Sequence, residues 1–140
     1  MGCREGEAAL NYLLDTHVLV WWVAGSERLP ARYAEPLSSA SDDEPLAVSD
    51  ISLWEIATLD RLGRIELRLP LREWLEHAVA PPLVRRIGIS PAVAAETAAL
   101  PRDFPGDPAD RIIAATARVF GLTLLTCDGD VRDAGVVPFL

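Results

Sequence analysis

Asn11-Tyr12-Leu13-Leu14-Asp15-Thr16-His17-Val18-Leu19-Val20-Trp21-Trp22-Val23-Ala24-Gly25 is the stretch whose reading decides the fold. Residues 11–15 read as a short buried strand, an apolar run closed by a carboxylate. From His17 to Ala24 the chain is apolar, and Gly25-Ser26 stops it, which predicts a short helix. Asp15 therefore falls where a strand hands over to a helix.

The same grammar recurs outward from this unit. Leu46-Ala47-Val48 is a second short strand, followed by a helix from Ser49 to Leu62 that Gly63 ends. Asp107-Pro108 opens the strongest helix, which runs to Gly121, with proline at its first position. Residues 122–127 form another strand, and Asp128 follows it. Between these units, residues 30–40 predict a helix starting near Pro30, residues 65–69 an extended piece, and residues 71–80 a helix closed by Pro81-Pro82. Residues 83–89 predict a third strand, 91–100 an alanine-rich helix, and 136–139 an edge strand. Strands alternate with helices, and the strands are continuous apolar runs. That pattern belongs to an α/β fold, a central parallel sheet covered on both faces. Ligands in such sheets sit beyond the carboxyl ends of the strands, where Asp15 and Asp128 fall.

The whole chain sets limits on this reading. Its 140 residues make one domain, residues 11–140, preceded by a flexible extension over residues 1–10. Half the residues are hydrophobic, enough for a core, yet no run reaches the length of a membrane span. The start lacks a signal pattern, so a cytoplasmic location is expected. Net charge is −8 and the 13 basic residues are all arginine, which argues against a large phosphate footprint. Arg61, Arg64, Arg68, Arg72, Arg85 and Arg86 read as solvated surface or as a basic rim. Cys3 and Cys127 have no metal-ligand spacing, and Cys127 reads as a small core residue. His17 follows Asp15-Thr16 and could line a site there. Core packing is the expectation for Trp21, Trp22 and Trp54, with a partner contact as the other reading.

Four acids stand out at comparable positions: Asp15, Glu55, Asp110 and Asp128. Each has a plain structural reading. Asp15 could cap the next helix, but Thr16 could do so instead and leave Asp15 facing a cleft. Ser52 to Glu55 fits a capping box. Against that, Glu55 shares a helical face with Ile51, Leu59 and Leu62, which places it inside a helix that starts at Ser49. Asp107 suits the helix cap before Pro108, with Asp110 in the first turn, where the helix dipole favours an acid by roughly 0.3–1 kcal/mol. Yet Asp110 shares a face with Ile113, Ala114 and Ala117. Asp128-Gly129 could be a turn, with Asp130 as a water-mediated ligand. Inward carboxylates without a partner cost several kcal/mol each, so a cation is implied. Oxygen donors suit a hard ion such as Mg²⁺ or Mn²⁺.

Together the segments Leu13-Leu14-Asp15-Thr16-His17, Ser49-Asp50-Ile51-Ser52-Leu53-Trp54-Glu55-Ile56-Ala57, Asp107-Pro108-Ala109-Asp110-Arg111-Ile112-Ile113-Ala114 and Leu125-Thr126-Cys127-Asp128 resemble the PIN-domain nucleases. More closely, they resemble VapC-type toxins of toxin–antitoxin pairs. The resemblance covers the chain from about Asn11 to Leu140. It implies a three-layer α/β/α sandwich and an Mg²⁺- or Mn²⁺-dependent endoribonuclease. It implies metal ligation by Asp15, Glu55, Asp110 and Asp128, with Thr16, Ser49 and Thr126 as supporting hydroxyls. A cognate antitoxin over the acidic cleft and a homodimer are the implied protein partners, with RNA as substrate.

Two other readings fit an acidic cleft. A metal-dependent phosphatase or receiver-type domain also gathers acids at strand ends, but needs a lysine facing the phosphate, and this chain has none. A PIN-like binding module without activity is the other; the presence of all four acids weighs against it.

Overall fold

The computed structural model describes residues 10–140. Four strands, β1 (Tyr12–Leu14), β2 (Leu46–Ser49), β3 (Val84–Ile87) and β4 (Thr123–Leu125), form one sheet in the order β3-β2-β1-β4. Every pairing is parallel, with Leu13 opposite Ala47 on one side and Leu124 on the other. The helices are α1 (Thr16–Ala24), α2 (Ala34–Ser38), α3 (Asp50–Arg61), α4 (Leu71–Ala78), α5 (Pro91–Ala99), α6 (Pro108–Phe120) and α7 (Gly129–Asp133).

Strand side chains alternate between faces, and this builds two cores. Leu14, Val48, Val84 and Leu125 join residues of α1, α2 and α4, including Val18, Leu37 and Trp74. Leu13, Ala47, Ile87 and Leu124 join Ile113, Ala114 and Ala117 of α6 and Val131 of α7. The sheet is thus sandwiched between two helical layers, as expected. The first nine residues, and with them the expected extension and Cys3, lie outside the described residues. Leu10 packs against the second core. No helix among the described residues is long and apolar enough to cross a membrane.

The strand order positions the site. From β1 the chain steps to β2 and on to β3, then returns to place β4 on the other side of β1. The direction of winding reverses between β1 and β4. A crevice opens beyond the carboxyl ends at such a reversal. Asp15 leaves β1 there, and Thr126 to Asp128 leave β4 there.

Several local expectations fail for physical reasons. The helix over residues 30–40 is broken into a 3₁₀ turn, Ala31–Tyr33, and the five-residue α2. Pro36 is the cause: it has no N–H and its ring collides with the carbonyl four residues back. Residues 65–69 form no strand; Ile65 and Leu67 pack onto the first core as irregular chain. The edge strand over 136–139 shrinks to one bridge between Leu124 and Phe139, held by Leu124 N–H to the Pro138 carbonyl at 2.9 Å. The Leu140 N–H donates back to the Leu124 carbonyl at 3.1 Å, and Pro138, with no N–H, cannot carry the pairing further. β3 is not a continuous apolar run: Arg85 and Arg86 are exposed at its centre, and charge on an edge strand resists pairing with other chains. Arg86 also binds Asp50, Nε to Oδ1 at 2.8 Å.

Candidate active site

Asp15 sits directly at the end of β1, and its backbone N–H still pairs with the Leu125 carbonyl at 3.0 Å. Its side chain is 7% exposed. Of the two candidate caps, Asp15 and not Thr16 caps α1: the Thr16 backbone N–H donates to Asp15 Oδ1 at 2.6 Å. The other oxygen, Oδ2, accepts from the Thr126 hydroxyl at 2.6 Å. Capping and cleft-facing are therefore the same arrangement, since each carboxylate oxygen keeps a further lone pair. Burial pushes the Asp15 carboxyl up, and the bonds from Thr126 and Thr16 pull against it.

Thr126 is itself held from behind. Its backbone N–H donates to the Tyr33 hydroxyl at 3.1 Å, and that hydroxyl has its one proton to share between the Thr126 carbonyl at 2.6 Å and the Leu140 carbonyl at 2.7 Å. Tyr33 is fully buried. The Thr126 hydroxyl also accepts from the Asp128 N–H at 3.0 Å. One tyrosine thus fixes the peptide that aligns Asp15. Nothing in the sequence marks this use of Tyr33.

Glu55 reaches the site from α3. Ser49 is the cap of that helix and accepts from the Ile51 N–H at 3.2 Å, so the capping box at Ser52 does not form and Glu55 lies in the second turn. Ser49 is buried in this role at the end of β2, and like Thr16 and Thr126 it is not among the residues that line the cleft. Ser52, read in the sequence only as a possible helix cap, receives a hydrogen bond from the Thr16 hydroxyl at 3.0 Å. Both hydroxyls can rotate, so Ser52 can donate to Thr16 while Thr16 donates to Glu55. Burial raises the Glu55 carboxyl, hydrogen bonding from Thr16 lowers it, and the charge of Asp15 raises it again.

Asp110 enters from the first turn of α6. Asp107 caps that helix as expected, accepting from the Ala109 N–H at 2.8 Å. Asp110 is half-buried, and its carboxyl is pushed up to about 7 by burial first, then by Asp15, Asp107, Asp128 and Glu55. The repulsion is the physical consequence of these acids facing one cleft. Asp128 lines the same cleft while its Oδ1 caps α7, accepting from the Asp130 N–H at 2.9 Å. α7 itself was read as a turn. Asp130 is exposed and does not line the cleft.

The cleft holds about 390 Å³. Asp15, Glu55, Asp107, Asp110 and Asp128 line it, and so do His17, Trp21 and Arg28. Cys127 is exposed at its edge and not in the core as expected, because Thr126 takes the inward position and the next residue turns out. Trp54 is 58% exposed, one place off the inward stripe of α3, which overturns its core reading. The clustered arginines of the middle chain lie elsewhere; Arg28 is the arginine that lines the cleft among the described residues.

The donor set fits Mg²⁺ or Mn²⁺ in kind: it is all carboxylate oxygen. It is not yet closed on one point, since among the described residues no three acids, histidines or cysteines are drawn together tightly enough to grip an ion as a group. Mg²⁺ does not require that. It keeps several waters and is commonly held through one or two carboxylates.

The sequence pattern of the PIN domain matches residues 12–137. The chain belongs to the PIN-domain family. Over 120 residues, 86% of this chain and 88% of the relative, it is 44% identical to Ribonuclease VapC22 of Mycobacterium tuberculosis. Its PIN fold superposes with a TM-score of 0.69 on VapBC2 from Rickettsia felis bound to a promoter DNA fragment, at 17% identity, over 94% of this chain and 98% of that one. FitAcB from Neisseria gonorrhoeae matches at 26% identity and TM-score 0.65, over 92% and 96%.

Proposed function

We propose that this PIN domain is a divalent-cation-dependent endoribonuclease and the toxin of a toxin–antitoxin pair. The observation that carries the reading is the convergence of Asp15, Glu55, Asp110 and Asp128 on one cleft at the switch point of the sheet. The 44% identity to a VapC ribonuclease supports it.

Asp15 and Asp110 would hold Mg²⁺ or Mn²⁺, with Glu55 and Asp128 completing the shell directly or through water. The ion, when bound, supplies neutralisation of the phosphodiester charge and activation of water for in-line attack. The chain's own part is orientation. Thr16 N–H and the Thr126 hydroxyl fix both oxygens of Asp15, leaving it no rotamer to search. Glu55, with its raised affinity for a proton, is suited to orient the attacking water and take a proton from it. With water and not the RNA 2′-hydroxyl as nucleophile, and the 3′-oxygen as leaving group, the products would carry 5′-phosphate and 3′-hydroxyl ends.

The partners belong to the same proposal. Among the described residues, five acids and one arginine face the cleft, and an antitoxin tail offering a cation would quench the acids. Exposed Trp54 and Phe120 offer apolar area for a second copy of the chain.

Cleavage of end-labelled single-stranded RNA tests the reading. Cleavage is expected with Mn²⁺ or Mg²⁺, is abolished by chelation, and leaves ends that a 5′-phosphate-dependent exonuclease degrades. Products with 2′,3′-cyclic phosphate ends, or cleavage indifferent to chelator, would contradict it.

A further inference from the structure

Part of the cleft wall is not acidic. His17 and Trp21 stand one turn apart on α1, with ring centroids 5.8 Å apart and planes tilted by 50°. Arg28 lies on the segment after α1. All three border the cleft that Asp15 enters. His17 and Arg28 are exposed, and Trp21 is half-buried. The adjacent Trp22 turns instead to a separate cavity beside Pro81 and Leu83. The rotation of α1 thus allots one tryptophan, not both, to the carboxylate cleft.

We propose that His17, Trp21 and Arg28 form a seat for a nucleobase of single-stranded RNA next to the scissile phosphate. This rests on the ribonuclease reading above. A chain of net charge −8 with five acids on its cleft gains little from phosphate contacts. Base–aromatic stacking is indifferent to that charge and contributes roughly 1–3 kcal/mol per base. Trp21 packs partly against the first core, so its ring is held in place before any strand arrives. Arg28, the one arginine on this wall among the described residues, is positioned to stack on the base or to meet the next phosphate. A seat of this kind gives weak salt dependence: a single phosphate contact to single-stranded RNA corresponds to a log–log slope of about −0.7.

Fluorescence anisotropy with a labelled oligouridine in Ca²⁺ tests the seat, beside a matched strand with one abasic site. The wild type binds the intact strand more tightly than the abasic one. Trp21→Ala weakens binding of the intact strand about tenfold and erases the difference, whereas Trp21→Phe recovers most of it. Trp22→Ala leaves binding unchanged. In Mn²⁺ cleavage, Trp21→Ala raises KM and spares kcat. His17→Ala and Arg28→Ala, at exposed positions, weaken binding several-fold and keep the test readable if Trp21→Ala loosens the fold. A wild type that binds no RNA, or ignores the abasic site, overturns the seat. Intact cleavage with Kd and KM unmoved in Trp21→Ala and His17→Ala also overturns it, and leaves the nuclease reading standing. Seat-dependent binding by a wild type that cleaves nothing upholds the seat and removes the nuclease reading.

Discussion

Asp15→Asn abolishes Mn²⁺-dependent RNA cleavage and leaves the protein folded. Electrostatic stabilisation by a bound ion is worth several kcal/mol, so losing its central ligand costs about a thousandfold in rate or more. The fold should tolerate the change for a reason visible in the geometry. Asparagine is as good a helix cap as aspartate, so its Oδ1 can keep the bond from the Thr16 N–H. Its amide would then face the Thr126 hydroxyl, which can accept as well as donate. A buried charge also disappears. Circular dichroism and thermal melting should match the wild type while cleavage is lost. Cleavage within a few-fold of wild type would remove Asp15 from the chemistry.

Acidification stabilises the metal-free protein. Asp110 titrates at about 7 in the fold against 3.8 for an unperturbed aspartate, and Asp15 and Glu55 are raised too. Between those limits the folded state holds more protons than the unfolded state, so stability falls as pH rises through the window. The melting temperature of the chelated protein should be higher near pH 5.5 than near pH 7.5. Mn²⁺ should restore stability at the higher pH, because it binds the deprotonated folded state. Asp110→Asn should flatten the pH dependence and blunt the response to Mn²⁺. The variant separates the site from general self-repulsion of an acidic chain, which it reduces by only one charge. A wild type whose stability rises from pH 5.5 to pH 7.5 without metal would contradict the account.

The strand–acid–helix units were legible because each combines a short apolar run with an unambiguous stop. Leu13-Leu14-Asp15 and Leu46-Ala47-Val48-Ser49 needed no tertiary information. The same holds for Asp107-Pro108, whose cap and proline announce a helix start. For Glu55 the helix start at Ser49 holds and the capping box does not form, but the apolar face was only partly legible: Leu62 is 49% exposed, and the buried residues of α3 are Ser52 and Ile56. What escaped depends on contacts distant in the chain. Tyr33 reaches Thr126 across 93 positions, and no local pattern encodes that bond. α7 was hidden because Asp128-Gly129 spells a turn as readily as a helix cap. Pro36 was a legible breaker inside residues 30–40 and should have shortened that helix. Cys127 shows the limit of reading hydrophobicity alone: one residue past the inward Thr126, the chain has already turned to the surface.

The spelling of the sequence is richest where the carboxylates enter and poorest where the cleft is finished by other groups. Trp21 and Arg28 line it, yet only the rotation of α1 and the path of the following segment select them from four tryptophans and 13 arginines.

Residues spread from position 15 to position 128 are expected to cooperate in holding one class of cation. Anomalous diffraction from crystals soaked in Mn²⁺ addresses it directly. The account predicts a peak within the cleft between Asp15 and Asp110, lost in crystals of Asp110→Asn. A peak bound elsewhere on the surface, with that cleft holding only water, would contradict it.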